Sequence, residues 1–497
     1  MGRSVNIGFS HPTSNFWVDN GLVVLVRELG EGEYTVHEVL QWLLARLVRK
    51  TGNKSEYYDE ARGQVREYEK ENWVYPTNLF IKVSGKPGKK VKLDGKDYPT
   101  QPPKFELKLD LSNKPGVCDL CGDQAPLTDA KMWMFPFVVE PTKFGNFYSG
   151  AKRGLQLCAR CALAGLAGYL GWLWKAQGRN AFHFFVFHSE LRELERLHRE
   201  VLQPLGVEGG RGGNAPTSFS GPYIHETTLG LLLALFAHVR RSDQLSEEGR
   251  QHLAALLGAI ATDTSPPPIT LYAVTGTPEQ AFNMEALREF TKLQSLYRLY
   301  ERWVNVIDQK QIDQNPHQRV VQILLQFEAR EGNNRESLWR DKIAWAVLEL
   351  RDPFPFVEQF LFDVRAREQK PRPLLRGTLD ILDLYLREVL YMDEKFQSTL
   401  AGFGHGLGEA AHKHNEMGLL YALRNAKNPE EFYRVLNDAQ FRLEVTIPEA
   451  LLKIEKGERI EGVPWVRVKT LLSIYAMNTF LRRSAPQTVG SQITEEG

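Results

Sequence analysis

All four cysteines of the 497-residue chain fall in two matched stretches, "GVCDLCG" at 116–122 and "LQLCARCA" at 155–162. Cys118 and Cys121 form one CxxC pair, Cys158 and Cys161 the other. A two-residue spacer lets one turn of chain offer two thiolates to one ion, and two such turns complete a tetrahedral set. Gly122, directly after Cys121, can take the positive φ that a tight knuckle needs. Cys158 and Cys161 lead into the apolar run "ALAGLAGYLGWLW", which puts the second pair at a helix start, where N–H groups and the dipole favour thiolate. Redox dithiols or unmetallated cysteines are the competing readings. Neither accounts for two equal spacings outside a βαβ pattern, so a structural zinc is expected. Four thiolates leave no open coordination position, which makes the metal a staple rather than a catalyst.

Other catalytic signatures are sparse. The sequence holds no GxxxxGK[ST], no GxGxxG after a strand, no GxSxG and no HExxH. In "GHGLGEAAHKHNE", His405 and His412 share a helix face, while His414 points elsewhere. A metal enzyme built there needs a distant third ligand or one of Glu409 and Glu416; histidines on a bundle surface, or touching phosphate, fit as well.

Basic residues carry more information. Lys82, Lys86, Lys89, Lys90 and Lys92 crowd "IKVSGKPGKKVKL", which reads as a two-stranded ribbon with a glycine tip. Such a finger can follow a phosphate backbone or enter a groove, and a hairpin kept soluble by lysine fits the pattern equally. The glycine-dense segment 206–222 carries Arg211 and Asn214, residue types suited to a base edge if the loop is not simply mobile. Near the C-terminus, Arg424, Lys427 and Arg434 lie among amphipathic helices. A solvated face is the default there, and a basic groove for single-stranded nucleic acid the alternative.

The elements that must position these groups follow from periodicity. The length allows about two to four domains. A net charge of +1 confines any nucleic-acid surface to a local patch. The N-terminus shows no apolar signal region, and no apolar run reaches the ~20 residues of a membrane span. With so few cysteines, a reducing cytoplasm is expected. "FWVDNGLVVLVREL" suggests a strand or turn at Asn20-Gly21, and "TVHEVLQWLLARLVRKTG" a helix capped by Thr35 with Glu38 and closed by Gly52. "MWMFPFVV" between the cysteine pairs has enough apolar residues for a strand or two, and "NAFHFFVFH" reads as a buried strand followed by a charged helix. Beyond the glycine-rich segment the pattern is mostly helical apart from a short strand after "TSPPPITLYAV". "RAREQKPRPLLRG", 365–377, reads as a linker, and no strand is expected after it.

The fold class expected is therefore α+β. A mixed N-terminal domain, 1–370, holds the inserted zinc-binding segment at about 111–165, and an all-α helical bundle follows at 371–497.

The "NFWVDNGLVVL" opening, the CxxC…CxxC insertion and the helical tail together resemble the Cas8 large subunits of type I CRISPR surveillance complexes (Cascade), best the Cas8a/Cas8b-like branch. Cys118, Cys121, Cys158 and Cys161 carry the match residue by residue. The resemblance implies a cytoplasmic, non-catalytic antiviral-defence subunit that binds no membrane. Its partners would be the Cas5 and Cas7 backbone subunits, the guide RNA at its 5′ handle, target double-stranded DNA and the displaced strand. It would recognise the target-flanking motif (PAM), help duplex opening, stabilise the R-loop and recruit the Cas3 helicase-nuclease. The tail would resemble the small subunit, copies of which are in some systems made by internal translation; Met392 is the better-placed start, Met417 the worse. A metal-dependent nuclease and a zinc-ribbon scaffold are the alternatives.

Overall fold

In the computed structural model, which describes residues 3–74, 82–83, 90–105, 107–131, 133–134, 154–205, 213–219, 221–241, 269–278, 282–331 and 334–484, the opening segment is a helix. This helix, α1 (Phe16–Leu29), replaces the strand or turn expected at Asn20-Gly21. Asn15 caps it by accepting from the Trp17 and Val18 N–H groups, and every residue from Trp17 to Val26 is buried. Burial on all sides outweighs the weak strand preference of its valines.

Two compact units divide the chain: Met1–Thr217 with Ala234–Gln294, and Ser218–Leu233 with Ser295–Gly497. The main stretch of the second unit begins at Ser295, with residues 218–233 belonging to the same unit.

In the first unit, β1 (Ser4–Ile7) pairs antiparallel with β2 (Gly32–Thr35). Helix α2 (Val36–Leu47) has the Thr35/Glu38 capping box read from the sequence. It ends at Leu47 rather than Gly52, because the chain runs straight into β3 (Val48–Asp59), hydrogen-bonded to β4 (Gln64–Trp73). Gly52, at φ 71°, sits in the register shift between Lys50 and Lys54. The lysine-rich ribbon is also built differently from expectation. β5 (Lys82–Val83) pairs with β8 (Lys104–Phe105), while β6 (Lys90–Leu93) pairs with β7 (Lys96–Pro99). The reversal lies at Asp94-Gly95, both with positive φ, as a two-residue hairpin turn requires. The glycine tip at 84–89 and most of "MWMFPFVV" lie outside the described residues.

The cysteine region is a three-stranded antiparallel sheet, β9 (Pro115–Val117), β10 (Gln124–Asp129) and β11 (Gln156–Cys158), in the order β9-β10-β11. α3 (Ala159–Gly171) leaves β11 directly. A second antiparallel sheet runs in the order β12 (Leu173–Gln177), β13 (Asn180–Phe187), β14 (Thr270–Pro278), β15 (Phe282–Phe290). β13 is the buried strand expected; β15 occupies "FNMEALREF", whose spacing reads as helical. Between β13 and β14 come α4 (Leu191–Leu197), a π-helical turn over His198–Leu202, and α5 (Ile224–Arg241).

The second unit is largely helical. It holds α6 (Leu293–Gln309), α7 (Pro316–Leu325), the hairpin of β16 (Ala329–Glu331) with β17 (Asn334–Glu336), α8 (Leu338–Leu348), α9 (Phe354–Asp363) and α10 (Thr378–Glu388). After these follow α11 (Glu394–Lys413), α12 (Met417–Asn425), α13 (Pro429–Leu443) and α14 (Trp465–Ser484). A two-residue strand pair, Arg459–Ile460 with Val463–Pro464, interrupts the all-α tail that was expected. α14 is the central helix: Leu471, Leu472, Ile474, Tyr475, Ala476, Met477 and Leu481 are all buried. Gly408 of α11 meets it so closely that a Cβ would lie 2.1 Å from the Ala476 carbonyl oxygen.

Segment 365–377 is no linker. Arg365 is buried, the Leu374 N–H donates to Asn478, and the Leu375 N–H donates to Gln326. These bonds tie the segment into the helical unit in spite of its prolines.

Candidate metal centre

The first CxxC turn is closed by two backbone bonds, Gly122 N–H to the Cys118 carbonyl at 3.0 Å and Cys118 N–H to the Asp123 carbonyl at 2.9 Å. Gly122 has φ 77°, the left-handed conformation the knuckle demands. The second turn is the start of α3: Cys158 is its N-cap, and its sulfur accepts from the Cys161 N–H at 3.5 Å. Asp119 joins the turns, donating its N–H to the Gln156 carbonyl at 2.9 Å and accepting from the Gln156 N–H at 2.7 Å.

These bonds bring the sulfurs of Cys118, Cys121, Cys158 and Cys161 within 4.8 Å of one another, and no other such group of metal-ligating side chains occurs among the described residues. Cys121 Sγ and Cys158 Sγ are 3.7 Å apart. A tetrahedron with metal–sulfur bonds of about 2.3 Å has edges of about 3.8 Å, so this edge already has the length that a zinc-like ion requires. Hydrogen bonds from the Cys158 and Cys161 thiols pull Cys118 well below the ordinary thiol range. The same sharing pushes Cys158 up to about 12 and Cys161 higher still. Four crowded sulfurs cannot all ionise without a cation among them, and a divalent metal replaces the shared protons as the neutralising group. The donor set fits a thiolate-selecting metal such as zinc.

Arg160 lies inside the second CxxC, where nothing in the sequence sets it apart from the other arginines. Its side chain is buried and donates to the His11 carbonyl at 2.6 Å, with Asp123 at 3.8 Å. Burial works against its charge, but the Cys161, Cys121 and Cys158 sulfurs and Asp123 outweigh it and raise the guanidinium. The cluster's edge opens on a cleft of about 750 Å³ lined by Arg3, Asn6, His11, Asp123 and Arg160.

The residues around Asp19 are structural in their contacts. Asp19 is buried and accepts from the Thr13 N–H at 2.8 Å and the Thr13 hydroxyl at 2.7 Å. Asn20 donates to the Val186 carbonyl at 3.1 Å and bonds His198 of the π-helical turn. Burial drives His198 down to about 3, so it is neutral at ordinary pH.

The basic candidates that fall among the described residues stand on separate elements. Lys90 and Lys92 are exposed on β6, beyond the turn where Lys96 pairs with Glu56. The Lys82 side chain and all of Lys86, Lys89 and Arg211 lie outside the described residues. The Asn214 amide is occupied: it accepts from the Trp174 N–H at 2.8 Å and donates to the Trp172 carbonyl at 3.0 Å, which fixes the loop to β12. Arg424 makes a two-pronged bond to Asp363, both arms 2.7 Å, so its guanidinium serves packing. Lys427 and Arg434 are exposed. His405 bonds the Thr479 hydroxyl at 2.7 Å, and the His412 ring lies 5.5 Å from that of Phe480.

No helix among the described residues is long and apolar enough to cross a membrane. The chain matches no protein-family model, no curated protein and no solved structure.

Proposed function

We propose that the protein is the non-catalytic large subunit of a CRISPR RNA-guided DNA surveillance complex, Cas8-like, with zinc held by Cys118, Cys121, Cys158 and Cys161. The observation that carries this reading is the joining of the two motif-like segments. Arg160, between the second pair of cysteines, bonds the His11 carbonyl just ahead of the "NFWVDNG" helix. Burial raises the Asp19 carboxyl of that helix, and the Arg160 charge pulls it back toward its ionised form. Segments that carry the resemblance therefore form one module rather than two unrelated features.

Within this reading the metal is structural. It fastens the β9–β11 sheet to α3, and α3 in turn carries α1. Exposed lysines on the β6–β7 hairpin are suited to the phosphates flanking a short DNA motif. Cas5 and Cas7 subunits, the guide RNA and Cas3 are the partners, and the cytoplasm is the compartment. Exposed Lys427 and Arg434 offer the helical unit a weak electrostatic track for a single strand.

Co-expression of a tagged chain with its genomic neighbours tests the proposal. Co-purification of Cas5-like and Cas7-like proteins with a short processed RNA is the expected result. A lone, RNA-free chain from cells that make those neighbours would overturn it.

A further inference from the structure

Five arginines line a cleft of about 350 Å³ in the helical unit. Arg319 comes from α7, Arg330 and Arg335 from the β16–β17 hairpin, and Arg365 and Arg372 from the segment after α9. The volume lies at the lower end of the roughly 300–1,000 Å³ typical of small-ligand sites.

Charge in this cleft is lopsided. Glu328 is shared by Arg330 at 2.9 Å and Arg335 at 4.0 Å, and from behind by Arg340 at 3.5 Å. Arg340 is itself held by buried Glu226 at 2.7 Å. Glu368 serves both Arg365 at 3.3 Å and Arg372 at 2.8 Å. Arg319 donates to neutral acceptors, the Arg376 carbonyl and Gln322. Among the described residues, two carboxylates thus answer five guanidinium groups.

The back of the cleft carries an unmet demand. Arg365 is 6% exposed, anchored by its bond to the Gln326 carbonyl at 3.1 Å and by the Phe360 ring at 5.2 Å. Its Nε is buried without an acceptor. Burial, and then the charges of Arg372 and Arg330, push Arg365 below the usual arginine range. A buried donor lacking an acceptor is costly, and an anion entering the cleft relieves both the charge and the missing bond. Guanidinium forks match phosphate oxygens in pairs, which a lysine cluster does not.

We propose that this cleft binds a phosphate group carried by a nucleotide, either free or at the end of a nucleic-acid strand. The proposal is independent of the CRISPR reading, since it concerns the chain alone.

Calorimetric titration of the full chain tests it, with AMP, a short oligothymidylate bearing a 5′-phosphate, and the same strand without the phosphate. Binding of AMP or of the phosphorylated strand is expected. The Arg330→Ala/Arg335→Ala double variant, changed only at exposed arginines, should weaken that binding on the order of tenfold or more. Arg365→Lys, which keeps the charge and loses the fork, should weaken it as well. AMP binding as tightly as the phosphorylated strand identifies a free nucleotide as the ligand; at least about tenfold preference for the strand identifies its end. The proposal is overturned if neither ligand binds, if the 5′-phosphate makes no difference to a strand that binds where AMP does not, or if the double variant binds as the wild type does.

Discussion

Gly21 rests directly on the Ala164 carbonyl: a Cβ on Gly21 would stand 1.8 Å from that oxygen and 2.6 Å from the Gly168 nitrogen. The relation is reciprocal, because a Cβ on Gly168 would stand 2.7 Å from the Trp17 ring. α1 and α3 therefore meet backbone to backbone, with the Trp17 indole N–H donating to the Gly165 carbonyl at 2.6 Å. Gly21→Ala is expected to cost about 3 kcal/mol or more, since the obstructing atoms are backbone and cannot rotate away. Gly122→Ala has open space around it and a φ of 77°, so it should cost only about 1–2 kcal/mol of backbone strain. Denaturant unfolding of the two variants checks the order.

Metal content is the most direct prediction. The purified chain should carry one zinc, and a strong chelator should remove it and lower the melting temperature by roughly 5 °C or more. Cys121→Ser, at the most exposed of the four ligands, should lose the metal with the least disturbance of packing. Elemental analysis alongside thermal melts separates the two effects.

The helical unit should respond to pH. Burial pushes Glu358 from 4.5 up to about 7, against the opposing pull of Lys469 and Arg424. It pushes Asp383 from 3.8 up to about 6, against its bond from Tyr475. A carboxyl raised in the folded state holds its proton more tightly there, so its contribution is complete below its unfolded pKa and is lost as pH rises through the folded one. For Glu358 the loss spans about pH 4.5 to 7 and reaches roughly 3 kcal/mol, at about 1.4 kcal/mol per unit. Glu358→Gln should flatten the stability curve in that window, and Asp383→Asn should flatten it from about 3.8 to 6. Urea unfolding at several pH values measures both slopes.

Lysines of the ribbon test the proposed DNA surface. Lys86→Glu, Lys89→Glu and Lys90→Glu together should weaken DNA binding by the assembled complex. Binding should also become less salt-dependent, by about 0.9 in log–log slope for each phosphate that is no longer neutralised. Unchanged affinity and slope would assign the ribbon to solubility alone.

The parts legible in the sequence were those set by neighbours in the chain. The Thr35/Glu38 capping box and both cysteine knuckles depend on spacings of a few residues, and they form as read. What was misread depends on distant partners. α1 is helical because α3 covers its glycine face, and β15 is a strand because β14 offers it an edge. Segment 365–377 looks like a linker until Gln326 and Asn478 bond it into place. The arginine cleft was hidden for the same reason: its residues come from three separate stretches that only the fold brings together.

Three polar pairs across the helical unit bear on where a shorter product of the gene could begin. A polypeptide started at Met392 would keep α11 to α14 but omit α9 and α10. Tyr475 would lose Asp383, Arg424 would lose Asp363, and Lys469 would lose the Glu358 charge beside it, all in one truncation. The face of α14 that those helices cover would be left apolar and wet. Such a fragment is a half-finished interior, and it would persist in a cell only by borrowing a surface from a neighbouring subunit.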